Sequence, residues 1–132
     1  MQDLVGTWKL MHVQSRDPEG KPLASQYGPL PVGRIVFTRE GRVLVAVTDG
    51  RSSLPAGARR EYGGYTGDYT FSGTTLTTRV DASPNPALIG TDQIRGVRFE
   101  GERMVLHPPP REIGGVLHDR ELTWERISAV SL

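Results

Sequence analysis

The chain has no cysteine, which excludes disulfides, thiol catalysis and thiolate metal sites together. It also lacks an excess of either charge. Sixteen basic and fifteen acidic residues leave a net charge of +1, so no broad basic field points to nucleic acid. No apolar run approaches the length of a membrane-spanning helix. A secretory leader would need an apolar stretch soon after Met1, but Gln2 and Asp3 follow and a strand pattern begins at once. These absences predict a soluble, cytoplasmic protein without a membrane segment. Its 132 residues suffice for one core, so residues 1–132 are read as a single domain. Helical sequence is scarce as well. Sixteen glycines and ten prolines favour turns over long helices, and the best candidate for a short helix is 55–62.

What remains is strand. Eight strands are read over 7–16, 33–39, 42–48, 64–71, 75–81, 91–99, 103–107 and 116–127, from alternations such as Ile35 and Phe37 or Met104 and Leu106. Three connections are tight and carry glycine: Glu40-Gly41, Ser72-Gly73 and Glu100-Gly101-Glu102. Four are long, over 17–32, 49–63, 81–90 and 108–115. Tight and long connections alternate strictly. In an up-and-down barrel, alternate connections lie at opposite ends. One end is then closed by tight turns and the other is a loop-rich mouth. A β-sandwich also alternates its loops and stays open as the second architecture.

Closure rests on Leu4-Val5-Gly6-Thr7-Trp8-Lys9-Leu10. Glycine allows a tight backbone approach, and the indole is large enough to plug one end of a small barrel if its N–H finds a partner. At the far end of the chain, Leu122-Thr123-Trp124-Glu125-Arg126 carries an arginine able to lie over the Trp8 ring. The first and last strands would then meet.

With Trp8 pointing inward, a period of two sends Leu10, His12 and Gln14 inward too. On the sixth strand Gln93 and Arg95 share the face of Val97 and Phe99 and rise toward the mouth. On the fourth, Tyr65, Tyr69 and Phe71 share a face, with Tyr65 highest. His118 and Arg120 have the parity of Trp124, unless His118-Asp119-Arg120-Glu121 is a turn. The expected interior is an apolar floor under a polar, partly aromatic chamber with room for one small ligand. Each residue also has a plainer role. His12 suits a hydrogen-bonded core position, and the tyrosines suit packing. Arg95 suits an ion pair with Asp68 or Glu61, because a buried arginine needs an answering anion.

Other chemistry has little support. The histidines His12, His107 and His118 include no pair at ligand spacing, and His107 lies off the face of Met104 and Leu106. No metal site and no cofactor is therefore expected. Gly63-Gly64 and Gly114-Gly115 read as loop glycines, and no Gly-x-Ser-x-Gly elbow occurs. Met11, Val13 and the 43–47 run leave some strands apolar on both faces. Only 128–132 follow the last strand, too few for a covering helix, so a second copy is the expected cover and a homodimer is possible.

Three motifs in order, residues 4–10, Thr91-Asp92-Gln93-Ile94-Arg95 and Trp124-Glu125-Arg126, resemble the bacterial lipocalin-like domain family. The likeness spans nearly the whole chain and implies a lipocalin-like, all-β, eight-stranded antiparallel barrel. It also implies that a cofactor-independent cyclase or isomerase of a natural-product, polyketide-like intermediate is one possible activity. The expected partner is then a small apolar or amphipathic molecule. His12 would move a proton, while Arg95 and Tyr69 would polarise a carbonyl or hold enolate charge. Gln14, Tyr65 and Gln93 would bind. The competing reading is a non-catalytic carrier using the same residues for recognition, and a third is an interaction module with no specific ligand.

Overall fold

Gly6 opens the first strand at a φ of +130°, where a side chain would strike the backbone oxygen of Ser128. Only glycine lets the start of the chain lie this close to the last strand. From there the computed structural model, which describes residues 3–129, runs almost entirely as strand. The strands are β1 (Gly6–Arg16), β2 (Pro22–Leu23), β3 (Pro31–Phe37), β4 (Arg42–Asp49), β5 (Tyr62–Phe71), β6 (Thr75–Ala82), β7 (Asp92–Glu100), β8 (Arg103–His107), β9 (Arg111–Ile113) and β10 (Val116–Ser128). Met1, Gln2 and 130–132, on which the readings of the two termini partly rest, lie outside the described residues.

Neighbouring strands pair antiparallel in chain order, and β1 pairs β10 to close the sheet. Eight strands make the wall. The short β2 and β9 extend β1 and β10 as ribbons. Closure removes both sheet edges and excludes the sandwich. Trp8 stands opposite Ile35, two residues before β3 ends, so the tight turns share its end of the barrel. The four long connections share the other. Expectation and structure differ on helix: 55–62 forms none, and the helical turn among the described residues is a short 3-10 piece at Pro86–Leu88. Asn85 caps that turn by accepting from the Ala87 backbone N–H.

The closed end is plugged by buried Leu4, Trp8, Phe37, Val43 and Met104. Trp8 is 2% exposed, and the Arg126 guanidinium lies 4.5 Å from its ring centroid. The indole N–H does not reach β10 for its hydrogen bond. It donates to the Leu4 carbonyl at 2.9 Å, while Arg126 donates to the Asp3 carbonyl at 2.7 Å. The segment before β1 is thereby folded under the barrel as its floor.

On the outer wall the pleat sorts the 43–47 run. Val43 and Val47 are buried inside, whereas Leu44 and Ala46 face out. Val13, expected outside, packs against the core. The outer face of β3–β5 exposes Val32, Leu44 and Tyr62. No helix among the described residues is long and apolar enough to cross a membrane.

Truncating Trp8 to alanine removes the plug, the cation–π partner and the Leu4 tether together. The expected loss is roughly 3–5 kcal/mol, read as a lower urea midpoint. A loss under about 1 kcal/mol would show that closure does not depend on the indole.

Candidate functional site

The inward parity set by Trp8 lasts only to Leu10. Leu10 stands opposite Trp124, but His12 stands opposite Thr123, so Met11 is an extra residue in β1, a bulge. Beyond it the faces exchange. Val13 and Ser15 turn inward, whereas His12 and Gln14 are exposed on the outer wall. Both had been expected inside. The buried Ser15 hydroxyl instead meets His118 Nδ1 at 2.6 Å.

The remaining predicted residues divide by height. Tyr69 shares the Tyr65 face but belongs to the floor. It packs edge-on against Phe37 at 5.0 Å and donates its hydroxyl to the Thr38 carbonyl. Tyr65, Gln93 and Arg95 come together at the mouth. Arg95 donates to Gln93 Oε1 at 3.1 Å and to the Ile94 carbonyl at 2.9 Å. Neither carboxylate suggested for it is engaged: Asp68 pairs with Arg42 on the outside, and Glu61 lies at the rim without an ion pair to Arg95. β10 runs through 118–121 without a turn, so His118 is buried and Arg120 joins Arg95 in the lining.

These side chains border two adjoining spaces. A chamber of about 100 Å³ lies between apolar walls such as Val45, Val47, Leu76 and Trp124. Tyr65, Arg95 and Arg120 border both it and a polar mouth of about 740 Å³. Trp124 reaches the chamber across Gly33, where a Cβ would sit 3.2 Å from its ring. Its buried indole N–H has no hydrogen-bond partner among the described residues.

Tyr27, which also borders both spaces, was not anticipated. It comes from the long first connection, where no strand periodicity applies. Two glycines place it. At Gly28 a Cβ would crowd the Asp49–Arg51 ion pair, and the Gly50 backbone N–H fastens this loop to the β4–β5 connection by donating to the Leu30 carbonyl at 2.7 Å. At Gly63 a Cβ would come within 2.9 Å of the Tyr27 hydroxyl. Gly63 and Gly64 are therefore strand glycines of β5 rather than loop glycines. A tyrosine-glycine step facing a glycine pair is the signal that was available. Gln26 and Arg111 join the mouth from the first and last long connections.

The profile of the lipocalin-like domain matches residues 5–127. The chain belongs to that family. No curated protein and no solved structure gives a significant match. In this lipocalin-like domain no three histidine, aspartate or glutamate side chains among the described residues group to hold a metal ion.

Burial and charge act in opposite directions at the mouth. Desolvation raises the Tyr65 pKa, with the Arg95 charge a partial offset. Desolvation likewise raises Tyr27, against the pull of Arg120, Arg111 and Arg95. Arg120 is lowered, first by desolvation and then by repulsion from Arg95 and Arg111. A phenol whose folded pKa is raised contributes stability that is complete below the unfolded value near 10 and is lost as pH rises through the folded value. The domain should therefore lose stability above about pH 10, and Tyr65→Phe should reduce that loss. Melting temperatures of both proteins between neutral and strongly alkaline pH test this, and parallel curves would contradict it.

Proposed function

We propose that this lipocalin-like domain binds one small, largely apolar molecule, with its apolar end in the chamber and the remainder in the mouth. The observation that carries the reading is the shared border of the two spaces: Tyr65, Arg95 and Arg120 line both a largely apolar chamber and a polar mouth. Within that reading Tyr65, Gln93 and Arg95 are contact residues, and Tyr27 and Arg120 join them. His12 and Gln14 have no part, because the bulge turns them away from the interior.

A second reading, cyclisation or isomerisation of a natural-product, polyketide-like intermediate, is favoured by one arrangement. Tyr65 brings a phenol, its pKa raised by burial, near the Arg95 charge, a pair able to polarise a carbonyl and hold developing enolate charge. His12 cannot supply the proton from the outer wall, and the Tyr69 hydroxyl is committed to Thr38. Positioning in the chamber would do most of the work. Assembly as a homodimer is proposed through the β3–β5 outer face, where Val32 and Tyr62 flank Thr48 and Leu44 stands further along β4, all three apolar side chains exposed. A sedimentation coefficient of the monomer alone at micromolar concentration would remove that proposal.

Filling the chamber tests the binding reading. Val45→Trp places a large ring where the apolar end would lie. The extract of purified wild-type protein should contain a small molecule by mass spectrometry, and the variant should carry about tenfold less of it. Equal loading of both proteins would contradict the reading. Conversion of the recovered compound on incubation with fresh protein would favour the catalytic reading over simple carriage.

A further inference from the structure

Several arginines of this barrel are answered by carboxylates: Arg42 pairs with Asp68 and Asp81, Arg51 with Asp49, Arg79 with Asp92, and Arg98 with Glu100 and Glu121. The mouth instead gathers three arginines around one space. Arg95, Arg111 and Arg120 border it together, and none has an ion-pair partner among the described residues. Its acidic side chains are Asp92, already held by Arg79, and Glu61 at the exposed rim. Asp119, next to Arg120 in the chain, is taken by His107 at 2.7 Å.

Arg120 is the sharpest case. It lies half-buried on the inner face of β10, bordering both chamber and mouth. Its Nε is fully buried without a hydrogen-bond acceptor among the described residues, and so is the indole N–H of Trp124, four residues along the same face. A guanidinium offers five donors in a planar fork, and here none has an acceptor among the described residues. Arg95 uses two of its donors on neutral oxygens, Gln93 Oε1 and the Ile94 carbonyl. Leaving like charges together and buried donors unpaired is costly. The arrangement makes sense if an acceptor-rich anion enters from the mouth.

We infer that the molecule held by the barrel is an amphipathic carboxylate, its head between Arg95 and Arg120 beside the Tyr27 hydroxyl and its apolar end in the chamber. This rests on the binding reading above and adds the charge of the ligand to it. A carboxylate matches the fork of each guanidinium and accepts from both. The Tyr27 hydroxyl, over Gly63, is placed to donate a further hydrogen bond. Both arginines border the chamber, so an apolar end placed inside it leaves the head at their level.

Decanoate and 1-decanol, compared by calorimetric titration at neutral pH, separate the contribution of the charge from that of the chain. Wild-type protein should bind decanoate about tenfold more tightly than the alcohol, or better. Arg95→Met and Arg120→Met should each bring that ratio toward one. Arg103→Met, exposed at the closed end, should keep it. Ligand-free Arg120→Met should melt no lower than wild type, because it removes an unanswered charge; a fall of many degrees would mark Arg120 as a structural residue and overturn the inference. Equal affinity of wild type for acid and alcohol, or a preference that survives both substitutions, would overturn it while leaving the binding reading standing. Binding of neither compound would remove both.

Discussion

The barrel depends on the meeting of its first and last strands. β1 and β10 are separated by nearly the whole chain, and closing so long a loop carries an entropic cost that local contacts cannot offset. Trp8 gathers the compensating interactions at one point. Its ring is buried, Arg126 covers it from β10, and its N–H holds Leu4 beneath it. A cation–π contact contributes about 0.5–2 kcal/mol, so the larger share comes from burying the indole itself. Once that end is sealed, three short turns are confined to it and the long connections can only gather opposite. The mouth is a consequence of the plug.

The same strand pair also decides what the interior contains. One extra residue at Met11 lets β1 keep pairing with β10 while exchanging its two faces. Below the bulge Trp8 and Leu10 pack the floor; above it Val13 and Ser15 face the interior, and Ser15 locks onto His118. The potential proton donor His12 is thereby placed outside, and the polar character of the mouth falls to β7, β10 and the loops. Arginine supplies its positive charge, from Arg95, Arg111 and Arg120. That chemistry favours recognition of an anion more than proton transfer.

The strands were legible because glycine-bearing turns and period-two alternation repeat the same message along the whole chain, and both follow from backbone geometry. The closure was legible from Gly6, Trp8 and Arg126 because few side chains can play those parts. Inward parity held wherever a strand runs without interruption, as for Tyr65, Gln93 and Arg95. It failed on β1 because Leu10, Met11 and His12 carry no mark of a bulge; each side chain is acceptable on either face. Tyr27 was invisible for a different reason. A loop residue is placed by what it packs against, here Gly63 and the Asp49–Arg51 pair, and neither lies near it in sequence.

The central claim is that the chamber and the arginine-lined mouth form one site. A titration with decanoate followed by nitrogen–proton correlation spectra reads it directly, because Arg120 Nε–H and the indole N–H groups of Trp124 and Trp8 give resolvable signals. The account predicts that Arg120 and Trp124 move together and saturate at one concentration while Trp8, sealed in the floor, stays fixed. Movement confined to the outer-face residues Val32, Leu44 and Ala46, with Arg120 and Trp124 unchanged, would contradict it.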